Sequence, residues 1–542
     1  MPLLQQAAPD KAEFANKRFL IVDDFDGMRK LLRDLLRRCG AHQIDVAGNG
    51  NEALTAISRN KYDIVLCDYY LGAGKNGQQI LEEARHKSLI GTSTIWVMIT
   101  AEKTSDMVMG AVEHQPDDYL IKPVTEAMLQ MRLSRLAAKK AALGEIEAAV
   151  RAKEYLKAIT LCEQRMSQEK GGDVGLVKQR CDLLMLVGKF EEARAAYEKQ
   201  LAIRDAPWAK AGLAKLHFRE GKYLKARDLL QQVLDDNRNF LEGYDWLAKT
   251  QGCLGDWQDA ETLLQRAITL SPNSVQRQQS LGEAAGHNNN LELAEQAYNK
   301  ALSLGNNSDI KTPQPYLGLA KVYTEKGQKK EALAVLARLA QDVEGDTARL
   351  QAKAAEVRVL HKSGDTAEAQ KLAQELSAQI QGGAHDMPPA VTLELAEAFM
   401  EIGDKEVGSQ LLQFVVRNHY EDEALTRRAQ DVYGKAGMGD EGAAIIDATR
   451  ARSVEIMDQG VRLSSQGKIE EGIEVLQEAR LLMPNNPRLL LNLAYLHIKQ
   501  MEKTGWHHAK ANEARKLILI ARRYAIDDQR CGQLLAKLET LA

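Results

Sequence analysis

A chain of 542 residues is too long for one hydrophobic core, so it divides into several domains or into one domain and a repeat array. Hydrophobic residues at 44%, charged residues at 27% and only 12 prolines exclude a disordered chain and favour helix. The formal net charge is −3, with 17 Lys+Arg to 18 Asp+Glu over residues 1–138 and 55 to 57 beyond, which excludes the concentrated basic footprint that a phosphate backbone requires.

The N-terminal tail, residues 1–17, reads MPLLQQAAPDKAEFANK, with no basic start leading into an apolar run. No stretch approaches the roughly 18 uninterrupted apolar residues of a membrane span, so the expectation is a cytoplasmic protein without membrane contact. The six cysteines lie far apart without a C-x-x-C pair, which argues against zinc and disulfides and for buried, reduced thiols.

From Phe19 to Val124 short apolar runs alternate with amphipathic segments. FLIVDD precedes a helix from Met28, QIDVA a helix from Glu52, and DIVLCD a helix from Gln78. IWVMIT then precedes a helix around Ser105 to Val112, and DYLIKP a last helix from Thr125. Five β-α units of this length predict a doubly wound parallel sheet with helices on both faces, and reactive groups gather at its carboxyl edge.

Five residues fall at that edge: Asp23 and Asp24 after the first strand, Asp68 after the third, Thr100 after the fourth and Lys122 after the fifth. Clustered carboxylates suit Mg²⁺, whose preferred ligands are oxygens, and a divalent cation offsets the charge of a phosphoryl group brought to a carboxylate. Lys122 supplies a point charge to one phosphoryl oxygen and Thr100 a hydroxyl donor to another. An Asp-Asp pair alone is as well explained as a helix cap, and a Lys-Pro pair alone as a loop; the five together in this order are not.

At these residues the chain resembles the receiver domains of two-component response regulators, through IVDDF, LCDYYL, MITA and DDYLIKP, over residues 18–138. The resemblance implies a flavodoxin-like fold with Asp68 as the phosphoacceptor for a sensor histidine kinase, and Mg²⁺ held by Asp23, Asp24, Asp68 and the backbone carbonyl of Tyr70. It also implies a switch in which Thr100 moves towards the phosphoryl group and Tyr119 turns inward, and a cis Lys122–Pro123 bond. Two departures stand out: the loop YYLGAGKNG is one residue longer than usual before Gly77 and has no proline, and Tyr70 stands two residues past the acceptor. Tyr70 and Glu102 are therefore expected to set the dephosphorylation rate.

After about Arg135 the period changes. Ala193, Ala226, Ala260 and Ala294 are spaced 33, 34 and 34 residues apart, each after a turn such as VGKFEEA or LGDWQDA. Small residues recur twelve positions earlier (Cys181, Ala214, Ala248, Gly282) and Tyr or Leu four positions later (Tyr197, Leu230, Leu264, Tyr298). Small residues admit close helix approach and the larger ones fill the gap. The register continues through Ala332, Ala369, Gly408, Gly442 and Gly472 at steps of 38, 37, 39, 34 and 30, the longer steps being assigned to loop insertions. This pattern resembles tetratricopeptide repeats and predicts ten or eleven helical pairs in a superhelical solenoid over residues 139–542.

Such solenoids bind proteins along a concave face. The column eleven residues before each marker, Lys215, Lys249, Glu283, Lys321 and Arg358, lines the groove in that family's geometry and suits acidic partners, although a solvated polar face is the simpler account. Between the two parts, TEAMLQMRLSRLAAKKAALGEIEAA has strong helix formers and one interruption, Gly144, so it forms either a continuous helix or a hinge.

The expected function is a response regulator whose phosphorylation switches protein partners of the repeats. No catalytic motif appears beyond it, so enzyme activity is limited to autophosphorylation from small phosphodonors and autodephosphorylation. A DNA-binding transcriptional regulator is disfavoured by the neutral charge balance, and a constitutive scaffold by the intact acidic residues. The residues leave a homodimer open.

Overall fold

The run FLIV sends alternate side chains to opposite faces, as a strand must: Phe19 and Ile21 enter one apolar layer, Leu20 and Val22 the other. The computed structural model describes residues 14–541 except 73, 88, 92, 102–115, 169–173, 273, 306–310, 382–386 and 525–527. Strand β1 (Arg18–Val22) pairs with β2 (Gln43–Ala47) and with β3 (Ile64–Asp68). β3 pairs in turn with β4 (Ile95–Thr100), and β4 with β5 (Asp118–Ile121). All pairs are parallel, in the order β2-β1-β3-β4-β5.

Helices α1 (Asp26–Arg38) and α4 (Glu126–Arg151) cover one face through Leu32, Leu36, Leu129 and Leu133. Helices α2 (Gly50–Arg59) and α3 (Gly77–His86) cover the other through Ala53, Ile57, Ile80 and Leu81 above Trp96. Chain direction across the sheet reverses between β1 and β3, so the loops leaving them diverge and open a crevice at the carboxyl edge. The helix expected around Ser105 to Val112 lies outside the described residues.

Helix α4 is 26 residues long and passes through Gly144 without a break. A Cβ added at Gly144 would touch nothing, so this glycine answers no packing demand, and the continuous form of the joint holds rather than the hinge. Along α4, Lys140 pairs with Asp117 at 2.9 Å, just ahead of β5.

Beyond α4 every described element is helical. One unit runs from the N-terminal sheet through Pro315, and a second comprises Tyr316–Ala542 with Leu186–Lys189. The marker residues Ala193, Ala226, Ala260 and Ala294 are buried on the Phe190–Ile203, Tyr223–Asp236, Trp257–Leu270 and Leu291–Gly305 helices. Gly282 shows why the column is small, since a Cβ there would come within 2.8 Å of the Tyr298 ring.

In the second unit one long step arises otherwise than expected, and the short step has a cause of its own. The Asp346–Lys362 helix has 17 residues against 14 in Leu241–Leu254, so the step from Ala332 to Ala369 is lengthened by helix. The short step from Gly442 to Gly472 arises because Gly439–Ser465 is one 27-residue helix, with no turn between what would be two repeat helices. Cys253 is exposed, contrary to the expectation of buried thiols, while Cys39, Cys67, Cys162, Cys181 and Cys531 are buried. Among the described residues no helix is long and apolar enough to cross a membrane.

In the second unit His497 is buried at 5% exposure among Leu490, Leu493, Leu496 and Ile498, and neither ring nitrogen has a hydrogen-bond partner. Burial lowers its pKa from 6.5; Glu513 opposes this, and Lys510 and Arg480 add to it. Burial lowers His419 in the same unit too, against Asp422. The unfolded chain therefore binds protons that the folded chain refuses. Stability is full above pH 6.5 and is lost as pH falls below it, by up to about 1.4 kcal/mol per pH unit for each ring. Thermal unfolding of this unit should show a midpoint that falls between pH 7.5 and pH 5.5, and His497→Leu should flatten that dependence, leaving the part due to His419.

Candidate functional site

The three acids converge because β1 and β3 are neighbours and end at the same level. Asp23 follows β1 with 1% of its surface exposed, Asp68 ends β3 at 9%, and Asp24 faces solvent. One carboxylate oxygen from each lies within 4.8 Å of the others. Asp23 is fixed twice: its Oδ1 accepts from the Phe25 amide at 2.9 Å, and its backbone carbonyl accepts from Arg29 Nη1 at 2.5 Å. Asp68 Oδ1 accepts from the Tyr70 amide at 3.4 Å.

Lys122 arrives from the loop after β5, beside a cis Lys122–Pro123 bond. Its amide donates to the Thr100 carbonyl at 2.7 Å, which ties that loop to the end of β4. Its Nζ donates to Asp68 Oδ2 at 2.7 Å and to Asp23 Oδ2 at 2.9 Å. Thr100 is buried at the end of β4. The structure thus brings Asp23, Asp24, Asp68 and Lys122 together and places Thr100 on the adjoining strand end.

Burial drives the Asp68 carboxyl above its usual range, with Lys122 pulling down and Asp23 pushing further up. Burial also pulls the Lys122 ammonium down, but the hydrogen bonds and charges of Asp68 and Asp23 outweigh it and hold the group above its ordinary value. These directions agree, because Asp23 repels one member of the pair and attracts the other. Three clustered carboxylates, only two of them bonded to the one ammonium, leave an excess of negative charge on oxygen donors, an arrangement that fits a small divalent cation.

The start of α3 packs back on the end of β3. The Gly77 amide donates to the Tyr69 carbonyl at 2.9 Å, and a Cβ on Gly77 would lie 2.2 Å from the Asp68 carbonyl oxygen and 2.9 Å from Met98 Sδ. Gly77→Ala should therefore displace the Asp68 backbone, lower stability by about 1–3 kcal/mol in chemical denaturation, and slow any reaction at the Asp68 carboxylate.

Tyr119 is half-buried against the α2/α3 layer, and burial pushes its hydroxyl up to about 12. Tyr70 is 50% exposed and meets Tyr69 edge-on at 5.1 Å. Glu102 lies outside the described residues. Of the groove column, Lys215 is paired with Glu242 and lies 5.6 Å from the Trp246 ring centre. Lys249 is exposed and sits 4.9 Å from the Trp246 and 5.3 Å from the Phe218 ring centres. In the second unit Arg358 is bound by Glu401 at 2.6 Å, whereas Lys321 is exposed. Glu242 and Glu401 thus neutralise two members of the column.

Arg29 was not singled out in the sequence. Its signal is a basic side chain near the N-terminal end of α1, where the helix dipole disfavours positive charge unless a local acceptor holds it.

Comparisons with known proteins agree with these two parts. A family model described as a response regulator receiver domain matches residues 19–134, and two described as tetratricopeptide repeats match 184–249 and 247–309. Chemotaxis protein CheY-3 of Vibrio cholerae is 31% identical over 121 residues, covering 22% of this chain and 92% of that protein. Chemotaxis protein CheY of Pseudomonas aeruginosa is 28% identical over 119 residues, covering 22% and 94%. Among solved structures, the receiver domain of a Francisella response regulator shares 24% identity and covers 23% of this chain and 99% of its own, with a TM-score of 0.21. A tetratricopeptide repeat protein of Parabacteroides merdae shares 15% identity and covers 51% and 98%, with a TM-score of 0.35.

Proposed function

Because the chain belongs to the response regulators, with a receiver domain ahead of tetratricopeptide repeats, we propose that Asp68 accepts a phosphoryl group from a sensor histidine kinase and that this switches the proteins bound by the repeats. The observation that carries the reading is the Asp23, Asp24, Asp68 and Lys122 cluster at the crevice where the sheet order reverses. We take residues 1–17 as a tail, 18–138 as the receiver and 139–542 as the repeat domain, in a cytoplasmic protein that uses neither nucleic acid nor membrane.

In this reading an Asp68 oxygen attacks the phosphorus of the donor's phosphohistidine, the P–N bond breaks, and the nitrogen leaves with the electron pair. Asp23, Asp24, Asp68 and the Tyr70 carbonyl hold Mg²⁺, which when bound offsets the negative charge of the phosphoryl oxygens. Lys122, already on Asp68, follows the incoming oxygens as their cationic partner. Thr100 and Tyr119 report the change of charge. In the repeats the two exposed lysines, Lys249 and Lys321, are the first contacts for acidic partners, with Lys215 and Arg358 following on exchange of Glu242 and Glu401.

The test uses full-length protein with acetyl phosphate and Mg²⁺: a gain of one phosphoryl mass, with an altered set of bound partners, supports the reading, and no gain sinks it. Tyr70, half-exposed two residues past the acceptor, shields the acyl phosphate from water. Tyr70→Asn should shorten the phosphate lifetime several-fold, read by the decay of that mass; an unchanged lifetime removes Tyr70 and leaves Glu102 for the same assay.

A further inference from the structure

Helix α3 begins nine positions after Asp68, at a cap that is closed from both sides. Asn76 Oδ1 accepts from the Gln79 amide at 2.9 Å, while Gln79 Oε1 accepts from the Asn76 amide at 3.0 Å. This reciprocal box fixes the Gln79 side chain and leaves its Nε2 to donate elsewhere. It donates to the backbone carbonyl of Leu304, 225 positions along the chain, at 3.3 Å.

Leu304 lies in the last turn of the Leu291–Gly305 repeat helix. Carbonyls in a last turn have no donor within their own helix, so this one is satisfied by a side chain of the α/β domain. The far end of α3 is also met by the repeat side. Arg85 stands in the fields of Asp117 and Glu147, and Arg151 Nη1 lies 3.1 Å from the position a Cβ on Gly91 would take, in the loop after α3. Both Glu147 and Arg151 belong to the end of α4 that leads into the repeats.

We infer that α3 is the face on which the receiver holds the chain's own Leu291–Gly305 repeat helix, through the Gln79 amide, and that a phosphoryl group on Asp68 loosens this hold. The second half rests on the reading of Asp68 as phosphoacceptor. Its physical basis is the close approach of Gly77, the first residue of α3, to the Asp68 carbonyl, so a rearrangement around a new dianionic group is passed to the Asn76–Gln79 cap. A hydrogen bond already 3.3 Å long has little reach left before it is lost.

The test is amide hydrogen exchange on the full-length chain, with Gln79→Glu as the variant. Glutamate at this position still accepts from the Asn76 amide, so the cap persists, but it cannot donate to Leu304. Without phosphodonor, exchange in the last turn of Leu291–Gly305 should be about fivefold faster in Gln79→Glu than in the unaltered chain, the equivalent of one net hydrogen bond. Equal rates overturn the docking. The unaltered chain, once it carries the phosphoryl mass, should show the same acceleration, and unchanged rates at full occupancy overturn the release. Should no phosphoryl mass appear, the phosphoacceptor reading falls and the release with it, while the comparison without phosphodonor still decides the docking.

Discussion

Asp68→Ala is expected to abolish the gain of phosphoryl mass that acetyl phosphate and Mg²⁺ produce in the unaltered protein. Asp68 is the one member of the cluster that ends a strand and bonds directly to Lys122 while sharing the cluster with Asp23 and Asp24. Asp23 is more deeply buried and is tied by the Phe25 amide, which leaves it poorly placed to receive a bulky group. Asp24→Ala keeps the acceptor and removes a cation ligand; losing several kcal/mol of charge stabilisation should slow the reaction by a hundredfold or more, at roughly 1.4 kcal/mol per factor of ten. Intact-mass spectrometry over time separates the two, and a persistent gain in Asp68→Ala would show that another residue is the acceptor.

The second large effect is expected from Lys122→Ala in the absence of Mg²⁺. Its ammonium serves both Asp23 and Asp68, which have side-chain exposures of 1% and 11%. Removing it leaves two nearly buried carboxylates facing each other without a cation. Breaking a buried pair in this way costs about 3–5 kcal/mol, and the partial exposure of Lys122 and Asp68 places the expected loss at the lower end. Millimolar Mg²⁺ should restore most of the denaturation midpoint of the variant and change the unaltered protein far less. A variant as stable as the parent, or one that Mg²⁺ does not help, would show that the lysine and the cation do not share one pocket of charge.

The sheet was readable because three of its strands run into a polar residue that the apolar run cannot absorb: Asp23 after FLIV, Asp68 after IVLC, Thr100 after IWVMI. The same fact located the acids, since strand ends in a parallel sheet share one edge. The repeat period was readable from small residues that must lie under an aromatic ring, as Gly282 does under Tyr298. The 27-residue Gly439–Ser465 helix was not legible because a repeat period shows itself through its turns, and between Gly442 and Gly460 there is no glycine or proline to mark one. The neutralisation of Lys215 and Arg358 was invisible for another reason: Glu242 and Glu401 come from helices 27 and 43 residues away, and a column of like residues says nothing about what stands opposite.

Helix α4 belongs to the sheet at its start, through Leu129 and Leu133, and carries Glu147 and Arg151 at its other end. A rigid shaft of this kind sets an angular phase. Each residue inserted along it turns whatever follows by about 100° and advances it by about 1.5 Å. Transplanting a foreign receiver onto these repeats therefore requires matching rotation as well as length: seven added residues, close to two full turns, preserve the heading, whereas two reverse much of it.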